Sequence, residues 1–256
     1  MKIGVMNNPA KPVYDQIAAI GGAGFDFVDL TIEAPGAADI DTARVQSLLE
    51  RFDMSLTGHT DPCLPWAYPV ADVRQACLGE LERCAKIFST LGATIMNIHP
   101  CYFCPPAMRS ELVTLNIEAL GPVVKMGADY GLEVVFENYK APFDRVSIFS
   151  QLLNEVPGLG VHLDFGHTNF GRDDAGAFCR HLGKSIRHVH FSDNRSTADH
   201  HMPLGVGSID WKKAVAALKR TGYDGTITLE VFCGDGEMLF RYLNLSRDFV
   251  QNLWQE

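Results

Sequence analysis

Four short apolar segments each end on a carboxylate or an imidazole: Val134-Val135-Phe136-Glu137, Val161-His162-Leu163-Asp164, His188-Val189-His190 and Thr226-Ile227-Thr228-Leu229-Glu230. They follow one another along the chain, and runs of this length and composition are typical of strands buried in a sheet. A charged group in such a position is costly unless it is paired or bound to a metal. The repeated pattern therefore predicts a barrel of strands with a metal site at one end.

Strands and helices alternate along the rest of the chain as well, without a linker, a low-complexity tract or a change in composition. Apolar runs predict strands at Lys2–Met6, Phe27–Thr31, Ser55–Gly58, Thr94–Ile98, Leu132–Phe136, Gly160–Leu163, Ile186–Phe191 and Thr226–Val231. Apolar residues at helical spacing predict helices at Val13–Ile20, Asp41–Phe52, Asp72–Leu91, Ser110–Tyr130, Phe143–Glu155, Asp173–Leu182, Trp211–Arg220 and Glu237–Leu253.

Glycines mark several junctions between a helix and the next strand, at Gly22-Ala23-Gly24, Gly92, Gly131 and Gly222, and Gly21-Gly22 is predicted to end the first helix. They are natural helix ends, because glycine just past the last turn adopts the left-handed conformation at little cost. Eight strand–helix units in 256 residues predict an α/β fold, a single (β/α)8 TIM barrel formed as one domain by residues 1–256. The alternative is an open doubly wound sheet, which usually needs a glycine-rich loop after its first strand. Here that position holds Met6-Asn7-Asn8-Pro9.

The composition is that of an ordinary globular protein, with 46% hydrophobic and 21% charged residues. The net charge of −9 argues against a nonspecific nucleic-acid surface. No apolar run is long enough to span a bilayer, and the first residues lack the apolar stretch of a signal peptide. We therefore expect a cytoplasmic protein without a membrane partner. Cys101 and Cys104 are interpreted as loop thiols, with a redox pair or half of a zinc site as the alternative.

In a barrel of this kind the active site lies at the carboxyl ends of the strands. The residues at these positions are Asn7, Glu33, His59, His99, Glu137, Asp164, His190 and Glu230. The last four come from consecutive strands and should converge on one side of the barrel axis. Three carboxylates and one imidazole suit Mn²⁺, Mg²⁺, Co²⁺ or Zn²⁺ without distinguishing between them. The structural alternatives are a salt bridge for either glutamate, a helix cap for Asp164 and a core histidine for His190.

A second polar cluster follows the seventh predicted strand, in the loop that ends at Trp211. Asp199 and His201 are two residues apart, so in an extended loop their side chains face the same side. Gly205 and Gly207 permit a tight loop close to a ligand, and Asp210 is placed to cap the next helix. The alternative is a solvated polar loop.

Five segments taken together resemble the xylose-isomerase-like TIM-barrel superfamily, which contains sugar isomerases and epimerases and also the endonuclease IV group. They are Phe136-Glu137-Asn138, Leu163-Asp164-Phe165-Gly166-His167, His188-Val189-His190-Phe191-Ser192-Asp193-Asn194, His201-Met202-Pro203-Leu204-Gly205-Val206-Gly207-Ser208-Ile209-Asp210-Trp211 and Leu229-Glu230-Val231. These segments cover most of the C-terminal half in the expected order. Their combination is specific for the superfamily but does not name a substrate.

Resemblance to the isomerase and epimerase branch implies one divalent metal, held by the residues Glu137, Asp164, His190 and Glu230. The two glutamates would also act as acid and base next to a metal-polarised carbonyl of a sugar or sugar-like substrate. His167 and Arg195 would contact that substrate. Trp66 would cover its apolar face, with plain packing as the alternative.

Resemblance to the endonuclease IV group implies instead up to three Zn²⁺ ions and phosphodiester cleavage. The matching residues are His59, His99, Glu137, Asp164, His167, His190, Asp199, His201 and Glu230. Against this function, the acidic chain has no evident basic, aromatic-rich loops for DNA. A metal-dependent lyase, such as a dehydratase, and a metal-binding protein without catalysis are the remaining alternatives. The fold hosts many activities, and the sequence leaves open whether the chain forms a homo-oligomer.

Overall fold

Every strand pairs in parallel with the strand that follows it, and the eighth pairs with the first, so the sheet closes into a barrel. The computed structural model describes residues 1–34, 37 and 39–255. The strands are β1 (Lys2–Met6), β2 (Phe27–Ile32), β3 (Ser55–Thr60), β4 (Ile95–Ile98), β5 (Glu133–Glu137), β6 (Gly160–Asp164), β7 (Ile186–Phe191) and β8 (Thr226–Leu229). The predicted (β/α)8 TIM barrel is confirmed, and the open sheet is excluded.

Helices alternate with these strands around the barrel. They are α1 (Val13–Gly22), α2 (Thr42–Phe52), α3 (Ala71–Thr90), α4 (Leu112–Asp129), α5 (Val146–Glu155), α6 (Phe165–Thr168), α7 (Ala175–Leu182), α8 (Trp211–Lys219) and α9 (Gly236–Gln255). The short α6 was not predicted, because four residues are too few to show a helical period. Asp210 caps α8 as predicted, with its side chain accepting from the backbone N–H of Lys213. No helix in the described ranges has the length and hydrophobicity that a membrane span requires.

The predicted end of the first helix is wrong by two residues. Helix α1 continues through Gly21 and Gly22, and Gly24 is the residue with a left-handed backbone, at φ +73°. Gly21 remains helical because its bare Cα packs against Phe52, where an added Cβ would collide. The same left-handed conformation follows later helices as predicted, at Gly92, Gly131 and Gly222.

The two faces of the strands carry different chemistry. On the outside, Phe136 of β5 packs against Phe143 and against Phe149 of α5. Inside, the ring of Phe27 at the start of β2 lies edge-on to His188 and takes the space that a Cβ at Gly4 would need. Towards the carboxyl ends, the barrel contains buried polar side chains: Asp29, His59, Asn97, Glu137, His162, Asp164, His188, His190 and Thr228. A polar layer therefore leads from the apolar interior to the mouth.

Candidate active site

The four residues predicted to bind a metal lie together at the carboxyl ends of β5 to β8. One ligand atom each of Glu137, Asp164 and His190 lies within 4.8 Å of the other two. Glu230 directly follows β8, and its Oε2 is 3.0 Å from Nδ1 of His190. The Oδ2 atom of Asp164 is 3.8 Å from the same nitrogen. Two carboxylates thus face Nδ1 of His190, and the third, Glu137, lies within 4.8 Å of a ring nitrogen of the same residue.

Asp164 both caps a helix and points into this cluster. Its Oδ1 accepts the backbone N–H of His167 at 2.7 Å, which starts α6. Its Oδ2 is buried and has no hydrogen-bond partner among the residues that the structure describes. Burial, together with the negative charges of Glu230 and Glu137, raises the pKa of Asp164 to about 7. The predicted alternatives of cap and ligand are therefore compatible, because each uses a different oxygen.

Glu137 is surrounded by nitrogen atoms. Its Oε2 accepts from the side-chain amide of Asn97 at 2.7 Å and lies 3.0 Å from His99 Nε2 and 3.1 Å from His162 Nδ1. Its Oε1 lies 3.3 Å from His167 Nδ1. Burial by itself raises the pKa of this carboxyl, but the neighbouring His162 and His99 outweigh burial and hold the pKa well below its usual value. Glu137 is therefore a carboxylate at neutral pH, as a general base must be.

Glu230 and His190 are held as a pair. Burial favours the neutral form of each, but for His190 the hydrogen bonds to Asp29 and Glu230 outweigh burial, and for Glu230 the neighbouring His201 and His190 do so. The pKa of His190 consequently lies well above its usual value, and the pKa of Glu230 lies well below its own. His201 adds a further neighbour, with Nδ1 at 3.6 Å from Glu230 Oε1. Without a metal, the imidazole is thus the positive partner of the carboxylates.

These residues fit a divalent cation. Buried carboxylates repel one another when all are ionised, and the free Oδ2 of Asp164 faces this cluster without a hydrogen-bond donor. A cation would neutralise the repulsion and use that lone pair. The donor set of Glu137, Asp164, His190 and Glu230 supplies oxygen and imidazole nitrogen, which suit Mn²⁺, Mg²⁺, Co²⁺ and Zn²⁺ alike.

His59 and His99 lie on the β3–β4 side of the cluster. The ring of His59 stacks on that of His190 at 5.4 Å, and burial lowers the pKa of His59 to about 4. One ligand atom each of His59, His99 and Glu137 lies within 4.8 Å of the other two. The structure therefore brings both predicted histidines to the site.

The loop after β7 brings Asp199 and His201 to the site as well. Asp199 Oδ2 accepts from His167 Nε2 at 2.9 Å and lies 3.4 Å from His201 Nε2. The two loop side chains do face the same side, but the loop is not extended there, because His201 has a left-handed backbone at φ +47°. Met202 then forms an antiparallel bridge with Asp193, which turns the chain back towards the barrel.

Asp193 fixes the shape of this loop and does not join the cluster. Its Oδ2 accepts from the backbone N–H of Gly205 and from the indole N–H of Trp211, both at 2.9 Å. Its Oδ1 would collide with a Cβ at Gly207, as would the carbonyl oxygen of Asn194. The small residue at position 207 is required for this close approach.

The predicted substrate-contacting residues have different environments. Trp66 is buried, and its indole N–H donates to the backbone carbonyl of His99 at 3.1 Å. Arg195 is exposed in the loop after β7. His167 is buried, with Nδ1 donating to the carbonyl of Asn138 at 2.8 Å and Nε2 bonded to Asp199. Contact of each with a substrate stays a prediction.

Two polar residues of the site were missed because they lie in the middle of strands. Asp29 in β2 accepts from His190 Nε2 at 2.7 Å, from His188 Nε2 at 3.1 Å and from Thr228 Oγ1 at 2.8 Å. Asn97 in β4 donates to Glu137. The available signal was a polar residue inside an otherwise apolar run, as in Phe27-Val28-Asp29-Leu30 and Ile95-Met96-Asn97-Ile98.

Comparison with known proteins assigns the family. The sequence profile of the xylose isomerase-like TIM barrel family matches residues 15–248. The chain belongs to the xylose isomerase-like TIM barrel family. The match spans all the strands except β1 and includes every residue predicted to bind a metal or the substrate. The resemblance stated from the sequence motifs is therefore confirmed.

Similar members of the xylose isomerase-like TIM barrel family include sugar epimerases. A ketose 3-epimerase of Arthrobacter globiformis is 27% identical over 253 residues, which cover 91% of this chain and 82% of that protein. An L-ribulose 3-epimerase of a Methylomonas species is 25% identical over 262 residues, covering 94% and 85%. A crystal structure of a D-tagatose 3-epimerase-like protein superposes with a TM-score of 0.88 over 100% of this chain and 97% of that one, at 21% identity. That structure shows the shared fold.

Proposed function

We propose that the chain is a metal-dependent epimerase or isomerase of a keto sugar or a similar hydroxy-carbonyl compound. The observation that carries the proposal is the placement of two buried glutamates, Glu137 and Glu230, around the same imidazole as Asp164. The printed names of the relatives from Arthrobacter globiformis and Methylomonas, both 3-epimerases, support the same reaction class.

The two glutamates would carry the proton transfer. When bound, a divalent cation would polarise the substrate carbonyl and lower the pKa of the neighbouring C–H. One glutamate would take the proton of that C–H bond, leaving the electron pair on the enolate, and the other would return a proton from the opposite face. Glu137 suits the role of base because its neighbours keep it ionised. Glu230 is likewise ionised beside His201 and His190. To act as the acid it must therefore first take up a proton from the solvent.

His167 would bind a substrate hydroxyl from its place beside Glu137. Both of its ring nitrogens already have acceptors, Asn138 and Asp199. A substrate hydroxyl can therefore reach Nε2 only by sharing or replacing Asp199. We propose that the loop carrying Asp199, His201 and Arg195 adjusts when the sugar binds, with Arg195 and Trp66 as the further substrate-binding residues.

Proton exchange with the solvent tests the reaction class. The protein loaded with Mn²⁺ is incubated in D₂O with a panel of ketoses and followed by ¹H NMR. We expect a product of unchanged mass, apart from one deuterium at the carbon next to the carbonyl. A product that has lost water would identify a lyase. Absence of both exchange and turnover on every ketose of the panel would contradict the proposal.

One arrangement favours a second candidate function, a multi-zinc phosphodiesterase. Each residue of the nine-residue set implied by the endonuclease IV resemblance lies next to another member, including His59 with His190 and Asp199 with His201. Zinc stoichiometry separates the two functions, because an epimerase needs one cation and the phosphodiesterase needs up to three. Cleavage of DNA with an abasic site by zinc-loaded protein, with three zinc ions per chain, would favour this second function.

A further inference from the structure

Asp29 is a buried carboxylate that was not predicted to belong to the site. It stands in the middle of β2 and is fully buried. Three donors converge on its Oδ2 from β7 and β8, strands that do not pair with β2: His188, His190 and Thr228. Its Oδ1 lies 3.8 Å from His59 Nδ1 and has no hydrogen-bond partner within the described ranges. This carboxylate therefore joins β2 to β7 and β8 through the barrel interior.

The shortest of these bonds involves the predicted metal ligand. His190 Nε2 lies 2.7 Å from Asp29 Oδ2, and a carboxylate accepts only, so this nitrogen carries the proton. The other ring nitrogen, Nδ1, faces Glu230 and Asp164. The two ring nitrogens of His190 thus have different neighbours: Nε2 faces the carboxylate of Asp29, and Nδ1 faces the candidate metal site.

We propose that Asp29 is a positioning residue, which holds His190 so that Nδ1 points at the metal site. The inference rests on the proposed metal site, and it goes beyond it by naming what orients the ligand. Histidines that bind metals usually donate their second N–H to such an acceptor, and removing the acceptor typically costs 10–100-fold in metal affinity.

The bonds from His188 and Thr228 make this support rigid. A lone carboxylate could rotate with the imidazole, whereas donors from two neighbouring strands fix Oδ2 in one place. The ring of His59 stacks on His190 and limits its tilt from the β3 side. Rotation of the His190 ring would then break its bond to Asp29 and its contact with Glu230 together.

Metal affinity of matched variants tests the proposal. Mn²⁺ is titrated into metal-free protein by calorimetry, with folding checked by circular dichroism. For Asp29→Ala we expect a dissociation constant about 10–100-fold higher than that of the unchanged chain. Asp29→Asn should recover most of the affinity, because its side-chain oxygen still accepts the Nε2 proton. Thr228→Val removes one supporting bond to Asp29 but keeps the bond between Asp29 and His190, so its affinity should fall much less than that of Asp29→Ala.

A purely structural role for Asp29 gives a different result. The melting temperature would then fall in Asp29→Ala and in Thr228→Val alike, and folded Asp29→Ala would bind Mn²⁺ as tightly as the unchanged chain. That affinity result would overturn the proposal.

A crystal structure of the Mn²⁺-loaded, unsubstituted protein decides the question even where Asp29→Ala does not fold. We expect His190 Nδ1 at the metal and Nε2 within hydrogen-bond distance of Asp29. Coordination through Nε2, or Asp29 itself as a ligand, would contradict the proposal. If His190 has this expected orientation but the protein turns over no ketose, only the proposed function is refuted.

Discussion

At the scale of single residues, the carboxylates of the site have similar chemistry but different surroundings. Glu137 is enclosed by nitrogen atoms, whereas Asp164 has one oxygen without a donor. The first therefore stays ionised, and the second has a pKa raised to about 7. Pairs of titratable groups whose pKa values are moved apart are a common feature of catalytic sites.

Replacement of Glu137 by glutamine tests its role as a proton-transfer residue. The variant keeps the shape of the side chain but cannot accept a proton, so we expect kcat to fall by at least about 100-fold. The matched control is Glu133→Gln, which changes the same residue type in the same strand at a surface ion pair with Arg187. Steady-state rates on the best ketose measure both. Normal turnover in Glu137→Gln would remove this residue from the catalytic role.

Metal binding should release protons. In the metal-free protein the pKa of His190 lies well above its usual value, so His190 is protonated at neutral pH, whereas Asp164, with a pKa of about 7, is protonated in part. A cation must displace these protons, and its affinity should therefore rise as the pH increases from about 6 to about 8. Mn²⁺ calorimetry in two buffers of different ionisation enthalpy counts the protons released. An affinity independent of pH would show that neither residue is a ligand.

At the scale of elements, the loop between β7 and α8 is anchored to the barrel and brings two side chains to the site. Asp193 holds Gly205 and Trp211, and the loop between these anchors and β7 presents Asp199 and His201. The left-handed backbone of His201 means that the loop is not extended at this residue, although the two side chains face the same side as predicted. The alternation of side chains assumed there holds only for extended residues.

Replacement of Gly207 by alanine should displace this loop. The added Cβ would collide with Asp193 and with the backbone of Asn194, so the loop must move. We expect a raised KM for the ketose, with Mn²⁺ affinity close to that of the unchanged chain. Gly79→Ala in α3 is the control, because nothing lies within 4 Å of a Cβ built there. Equal KM values in the two variants would exclude a role of the loop in substrate binding.

Strand ends could be predicted from sequence, whereas the interior of the barrel could not. Glu137, Asp164 and His190 end apolar runs, and that position alone assigns them to the mouth. Asp29 and Asn97 lie within strands whose outward and inward residues are both buried, so hydrophobic alternation is too weak to assign a face. Which carboxylate meets which imidazole depends on the register between distant strands, and no local pattern encodes that register.

At the scale of the whole molecule, the proposed cation would join strands from half of the barrel. Its ligands lie on β5, β6 and β7 and directly after β8. A metal that binds only the folded chain stabilises it, by about 2.7 kcal/mol when the free metal is 100 times the dissociation constant. For a chain of this length we expect EDTA to lower the melting temperature by about 5–10 °C. Thermal unfolding with and without Mn²⁺ measures the shift, which Asp164→Asn should reduce. A melting temperature unaffected by EDTA would contradict the metal site.

The divided use of Asp164 limits what can be learned from relatives of this protein. One oxygen caps α6, and the other has no hydrogen-bond partner among the described residues and is the one that we propose binds the cation. A homologue without enzymatic activity would still be stabilised by this aspartate, because an N-cap side chain typically contributes about 1 kcal/mol. An aspartate at this position in a homologue is therefore no proof of catalytic activity. Loss of Glu137, which caps no helix, would be stronger evidence that a homologue is inactive.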